Sequence, residues 1–329
     1  MSEYQYYEFQ AIDRPLSNAD RRALRDLSSR ARITATSFTN YYEWGDFKGD
    51  PDKLMERWFD LHLYLANWGS RRLMIKLPAR LVDQDRIRDI LGSAEDVALA
   101  MTGENVILSI AREELEHDYG DEDDSSWLAA LAPLRVDLLA GDLRLVYLLW
   151  LMAVEIDAVK PDEAEPMPGI GPLTDALDAF VEFFGVDRDL VRAAAEQGAA
   201  MHPDGAPEVA RRTVATLQDR AAAIRLAREH AKAELAAAQQ RLSDEAAEKA
   251  RQLRLDAVHR RGESIWEDIE KEIIRSNPAG YHKAAALLFD LQTLAERHDT
   301  VEAFRLRLQA IRERHSGKGR FIERLRLLG

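Results

Sequence analysis

Two short stretches hold the residues best suited to chemistry. The first, NYYEWGDFKGDP, runs from Asn40 to Pro51, and the second, ANWGSRRLMIKLP, from Ala66 to Pro78. Both contain Trp-Gly, and two arginines follow the second pair. If the strands ending at Trp44 and Trp68 neighbour one another, then Tyr42, Trp44, Asp46, Lys48, Trp68, Arg71 and Arg72 converge at one sheet edge. An aromatic floor with cations binds a planar or anionic group by stacking and charge-assisted hydrogen bonds. It equally suits a protein-binding hot spot, where Trp, Tyr and Arg are enriched. The plain structural reading is a core corner, with tryptophans over the sheet end, glycines at the turn and arginines pointing to water. As a function, partner binding ranks ahead of small-molecule binding, because no catalytic group accompanies the patch.

Elsewhere the chemistry-bearing residues are scattered. In REELEHDYGDEDD, Arg112 to Asp124, the pair Glu114 and His117 has the Glu-x-x-His spacing of di-iron carboxylate helices. Such a centre needs a second copy and two more glutamates, and the nearest match is Asp256 with His259. A solvated acidic loop is the simpler expectation. The eight histidines form no His-x-x-x-His pair. There is no Gly-x-Ser-x-Gly elbow, P-loop or dinucleotide fingerprint, and PGIGP (Pro168 to Pro172) has no basic residue near it. With no cysteine in the chain, disulfides, thiolate metal sites and cysteine nucleophiles are excluded. No metal and no cofactor is expected.

The elements that must position these residues follow from pattern. Of 25 aromatic residues, 13 lie in the first 70 positions and none between Gly185 and Ile265. Aromatic, β-branched segments favour sheet, and long Ala/Arg/Glu/Leu segments favour helix. Strands are expected at YQYYEFQAI and RITATSFTNYYEW, and hairpins about Gly69-Ser70 and Gly103-Glu104-Asn105. Helices are expected after Pro15 and Ser17, after the Asp50-Pro51 cap, and at DQDRIRDIL. From Ser126 the pattern is helical, with two buried helices interrupted near Pro133 and Gly141. The acidic, proline-rich KPDEAEPMPGIGP follows as a linker.

The apolar run LRLVYLLWLMAV, Leu143 to Val154, falls short of the roughly 20 residues that span a bilayer, so a buried helix is expected. From Pro207 to Asn277 there is no internal proline and the only glycine is Gly262. Val214, Leu217, Ala221, Ile224, Ala231, Leu235, Ala238 and Leu242 follow three-then-four spacing, with Arg228 the polar exception. That is a heptad seam, alanine alternating with larger aliphatics. An antiparallel hairpin broken near Ser243-Asp244 or Gly262 is the first expectation, and one unbroken rod is the rival.

Net charge is −13, unevenly spread: residues 101–200 carry 6 Lys or Arg against 22 Asp or Glu, and residues 301–329 carry 8 against 3. An acidic chain is a poor general nucleic-acid binder, and only the tail RERHSGKGRFIERLR offers clustered cations. The N-terminus MSEYQYYEFQ has no basic start or apolar run, so no signal peptide is expected.

YYEFQAIDRPL and the stretch from NYYEWGDFKGDP through ANWGSRRLMIKLP resemble the N-terminal region of a family of uncharacterised bacterial proteins. The likeness covers roughly the first 80 residues and implies no particular activity. The C-terminal AAALLFDLQTLAERHDTVEAFRLRLQAIRERHSGKGRFIERL is similar to a helical tail of some bacterial SWIM zinc-finger proteins. The zinc motif of those proteins needs cysteines, so neither zinc nor its nucleic-acid role carries over.

The expected fold is therefore α+β. A mixed module over 1–125 precedes a helical middle with an acidic linker over 126–200. A long helical arm or hairpin over 207–277 and a helical tail over 278–329 complete the chain. The expected role is a non-enzymatic, cytoplasmic scaffold or adaptor, engaging a protein partner or itself through the arm and the aromatic/arginine patch. The alternatives are an enzyme with a pocket lined by Trp44, Asp46, Trp68 and Arg72, and nucleic-acid association through the basic tail. No membrane association is expected.

Overall fold

The computed structural model describes residues 4–43, 45, 47–92, 94, 96–115, 127–196, 211–326 and 328. Seven strands form one antiparallel sheet: β1 (Gln5–Gln10), β2 (Arg32–Ile33), β3 (Ser37–Tyr42), β4 (Leu61–Ala66), β5 (Arg71–Pro78), β6 (Val97–Thr102) and β7 (Asn105–Arg112). Their order is β2-β3-β1-β4-β5-β7-β6. The expected single strand RITATSFTNYYEW is thus two, β2 and β3, paired across a turn at Thr34 to Thr36. The hairpins about Gly69-Ser70 and Gly103-Glu104 form as the turn chemistry dictates. Gly69 has φ 91, and a Cβ there would lie 2.6 Å from the backbone of Leu115, so turn and close approach both demand glycine.

Side chains alternate across this sheet, and its two faces are covered by different helices. On one face Phe9, Phe38, His62 and Met74 pack with α1 (Asn18–Leu27) and α2 (Pro51–Arg57), through Leu24, Leu54 and Met55. Both helices start on side-chain caps, Ser17 with Asp20 as a capping box and Asp50 before Pro51. On the other face Leu63, Leu65, Leu73, Ile75, Leu108 and Ile110 meet the helical middle. Its elements are α3 (Gln84–Leu91), α4 (Trp127–Leu131), α5 (Pro133–Leu139), α6 (Arg144–Glu155), α7 (Asp175–Phe183) and α8 (Arg188–Ala195). The apolar run from Leu143 is α6, buried on every side from Leu145 to Val154. Three helices, α4 to α6, stand where two were expected, because Pro133 starts a helix rather than bending one. The parts set out as 1–125 and 126–200 thus share one core.

The chain divides into two compact units, Met1–Glu229 and His230–Gly329. Helix α9 (Val214–Arg261) is continuous for 48 residues. It runs through Ser243-Asp244, so the hairpin expected to turn there does not exist; the first break is at Gly262, with φ 54. Val214, Leu217 and Ala221 join the core of the first unit. The second unit packs α10 (Ser264–Ile274), α11 (Pro278–Arg297), α12 (Val301–Arg314) and α13 (Gly319–Arg324) around Ile269, Leu288, Phe304, Leu308 and Phe321. Leu255 and Val258 of α9 pack there with Ile265 and Leu294.

His62 is fully buried, stacked on Phe9 with ring centroids 3.9 Å apart. Its Nδ1 lies 2.9 Å from the carbonyl oxygen of Glu8, and its Nε2 has no hydrogen-bond partner among the described residues. Burial pulls its pKa from 6.5 to about 3, so the native ring stays neutral. The unfolded chain takes up this proton below about pH 6.5, so stability falls as pH drops from 6.5 toward 3. Relative to pH 8, the loss from this residue at pH 5 is about 2 kcal/mol. Urea unfolding at the two pH values should show that loss in the wild type and a correspondingly smaller one in His62→Leu. Identical slopes in the two proteins would remove His62 as the cause.

Candidate functional site

The residues expected to converge on one sheet edge go to different places. The premise was that the strands ending at Trp44 and Trp68 are neighbours, and β1 lies between them: Gln5 pairs with Tyr42 on one side and with Ala66 on the other. Trp44 and Asp46 lie outside the described residues. Tyr42 turns into the aromatic cluster, its ring edge-on to Tyr7 at 6.0 Å and its hydroxyl accepting from Asn40 at 2.7 Å. Lys48 is exposed, and Trp68 stands exposed in the β4–β5 turn.

Arg71 and Arg72 are adjacent, so strand geometry sends them to opposite faces. Arg71 is buried, with its guanidinium over the Phe183 ring at 4.8 Å, and donates to the Phe183 carbonyl at the end of α7. Arg72 grips both carboxylate oxygens of Asp52 in α2, at 2.8 and 3.2 Å, and donates to Ser109 at 3.0 Å. The two arginines therefore tie a helix to each face instead of forming a joint cationic patch. Glu114 follows β7 in a left-handed backbone, φ 58, not on a helix as the Glu-x-x-His reading requires; His117 lies outside the described residues. Among the described residues no group of three or more His, Asp or Glu is placed to hold a metal.

A cleft of about 510 Å³ does open in the first unit, between the end of β7, α6, α8 and the first turns of α9. Arg112, Glu155, Asp187, Gln218 and Arg225 line its polar side. Its charges are committed to one another. Arg112 meets Glu155 at 2.9 Å and donates to the Phe184 carbonyl at 2.9 Å. Glu155 also accepts the backbone N–H of Asp187, and Asp187 pairs with Arg225. Burial raises the Glu155 carboxyl above its ordinary range despite these donors. Next to the cleft, Asp189 meets Arg228 at 2.8 Å and Arg225 at 3.6 Å. These pairs fasten the start of α9 to α8.

The firmest of these fastenings is the buried Glu165. Its two oxygens accept from Arg212 at 3.0 and 2.8 Å, from the Arg212 backbone N–H at 2.9 Å, and from the Tyr147 hydroxyl at 2.5 Å. Arg212 spends its other donors on the carbonyls of Ala193, Ala194 and Glu196 at the end of α8. Burial alone would raise the Glu165 carboxyl, but the hydrogen bonds from Arg212 and Tyr147 outweigh it and hold it below the ordinary range. Glu165 sits in the segment read as an acidic linker. Its partner is 47 residues away, and no local pattern marks it.

Beyond this clasp α9 stands clear. From Arg225 to Arg251 every residue is exposed. Leu235 and Leu242 are 73% and 68% exposed, and Leu226 and Leu253 are similarly bare. Leu235 and Leu242 belong to the heptad seam read from the sequence, whose earlier members Val214, Leu217 and Ala221 are buried. The same apolar face thus begins in the core and continues into solvent. Exposed aliphatics at heptad spacing make it an unpartnered apolar face.

Breaking the clasp tests its weight. Arg212→Ala leaves a buried carboxylate without its cation and should cost about 3 kcal/mol or more. Tyr147→Phe removes one hydrogen bond and should cost about 1 kcal/mol. Urea unfolding of the two variants should separate them in that order; equal losses would show the ion pair to carry no special load. No known family model matches the chain, and no curated protein and no solved structure shows a significant likeness to it.

Proposed function

We propose that the protein is a non-enzymatic scaffold or adaptor that engages a protein partner through the exposed central segment of α9. One observation carries this reading: two heptad-spaced leucines stand in water on a helix whose two ends are each fastened into a packed core. Leucine burial is worth roughly 1.5–3 kcal/mol per side chain, so a helix partner offering an apolar stripe gains several kilocalories from this seam. The segment contains no Gly, Pro or β-branched residue, so the helix persists without a neighbour and is presented ready-formed. The N-terminal patch proposed alongside it reduces, among the described residues, to the exposed Trp68 and Lys48. Among the described residues no helix is long and apolar enough to cross a membrane.

Two other readings are less well supported. An enzyme needs a reactive group held free, and the arginines and carboxylates of the first-unit cleft are paired. Nucleic-acid binding needs clustered free cations, and in the tail Arg314 and Arg326 pair with glutamates and Arg312 and Lys318 donate to carbonyls, which among the described residues leaves Arg320 and Arg324 as its unpaired arginines.

The test is the variant Leu235→Asp with Leu242→Asp. It places charge on the seam at positions that touch nothing in the fold, so far-ultraviolet circular dichroism should be unchanged. The wild-type chain should form complexes, with itself or with another protein, that light scattering after affinity capture detects and that the variant loses. Identical behaviour of both proteins would overturn the reading.

A further inference from the structure

We propose that strand β6 is a pairing edge whose occupant is β6 of a second copy, laid antiparallel so that two sheets join into one. The proposal is independent of the docking role given to α9. It starts from the two edges of the sheet, β2 on one side and β6 on the other. Edge strands present unpaired N–H and C=O groups, and chains blunt them with short length, charge, proline or a bulge. β2 is blunted: it has two residues, and one of them is Arg32. β6 is not. Its six residues, Val-Ala-Leu-Ala-Met-Thr, include no charge, proline or glycine, and its register with β7 runs without a bulge.

Parity shows which backbone groups are free. Ala111 of β7 donates to the Asp96 carbonyl at 2.9 Å. Backbone groups alternate sides along a strand, so Ala98, Ala100 and Thr102 also turn theirs to β7, while Val97, Leu99 and Met101 turn theirs outward. The Val97 N–H reaches back to the Ala94 carbonyl at 3.4 Å. The N–H and C=O groups of Leu99 and Met101 have no hydrogen-bond partner among the described residues. The side chains agree with an open edge. Ala98 and Ala100 are exposed, Met101 is 53% exposed, and Val97 and Leu99 are only partly buried against the core.

Self-pairing follows from the order of side-chain sizes. Val97 to Met101 reads large, small, large, small, large in either direction about Leu99. Place a two-fold axis through Leu99, perpendicular to the sheet. Leu99 then meets Leu99 of the second copy, Val97 meets Met101, and Ala98 meets Ala100. Residues with outward groups face one another, so Leu99 exchanges both of its bonds and Met101 bonds Val97 of the second copy. A slip of one residue would set outward groups against inward ones and lose every bond. Asp96 falls opposite Thr102, so no like charges meet along this span. The axis keeps both helix-covered faces on one side of the joined sheet, where Met101, left bare by one chain, gains Val97 of the other. An unrelated peptide gives no reason for β6 to mirror its own size order, and a two-fold contact of one patch with itself is the commonest way soluble chains assemble.

The chain has no cysteine, so introduced cysteines report the register. Facing residues of a non-hydrogen-bonded pair stand about 4.5 Å apart at Cα, within disulfide reach, and diagonal ones about 7–8 Å, beyond it. In a glutathione redox buffer, an equal mixture of full-length Ala98→Cys and Ala100→Cys chains should cross-link one variant to the other, and either variant alone should cross-link several-fold less. Equal cross-linking in all three samples would overturn the register. Met101→Pro removes an outward N–H and leaves the bonds to β7 in place, so its circular dichroism should match the wild type. Sedimentation equilibrium should show a wild-type dimer at roughly tens of micromolar and dimerisation about tenfold weaker in Met101→Pro. A monomeric wild type, or a dimer that Met101→Pro leaves untouched, would overturn the pairing, as would β6 taking an extended segment of a different protein in place of the second copy. Leu235→Asp with Leu242→Asp should keep this dimer. Its loss there would assign the contact to α9 and overturn the role of β6, while failure of the β6 tests alone leaves the docking role of α9 standing.

Discussion

The Glu165–Arg212 clasp sets the terms for the rest of the first unit. A carboxylate taken out of water is costly unless every lone pair finds a donor, and here Tyr147, the Arg212 guanidinium and its own backbone N–H supply them. The arrangement fixes three things at once. It closes the irregular segment after α6 onto α6 itself through Tyr147. It ties off the carbonyls at the end of α8 through Arg212. It also anchors the chain two residues before α9 begins. Val214 and Leu217 then enter the core, and the continuation of their face past the first unit lies exposed.

That outward continuation has to be stable without packing, which most helices of this length are not. The composition of the exposed segment supplies what packing does not. Alanine, leucine, glutamate, glutamine, lysine and arginine, all strong helix formers, make up all of it except His230, Ser243 and Asp244. Side-chain pairs one turn apart add small increments: Gln240 to Asp244 at 2.8 Å, Arg251 to Glu248 at 3.6 Å. The two ends are held by ion pairs of a sturdier kind. Asp189 takes Arg225 and Arg228 at one end, and the nearly buried Asp290 takes Arg254 at 2.7 Å at the other.

Local chemistry made much of this legible before any coordinates. Asp50-Pro51 and Ser17 mark helix starts because their side chains bond to backbone donors a few residues away. Gly69-Ser70 marks a hairpin because the turn needs a positive φ. The seam from Val214 to Leu242 was visible as spacing alone. What stayed hidden was long-range. Nothing local says that β1 inserts between β3 and β4, and that one insertion separates the two strands whose adjacency the expected patch required. Nor does sequence show that consecutive arginines, read as one cationic pair, would be divided between α7 and α2 by the pleat of β5. Glu165 looked like one acid among many in a solvated linker, because its burial depends on a residue 47 positions on.

The heptad pattern raises a subtler point about what a seam means. Read as a sequence, Val214 to Leu242 is one continuous stripe, and a hairpin is the economical way to bury it. The fold instead divides the stripe by depth: the first four members pack on the first unit, and the remainder is bare. The change falls at Arg228, the one polar residue in the run, which is turned to Asp189 at the edge of the core. A polar residue at a seam position limits register and oligomeric state. Here it also marks where burial within the first unit stops, and the seam beyond it lies exposed.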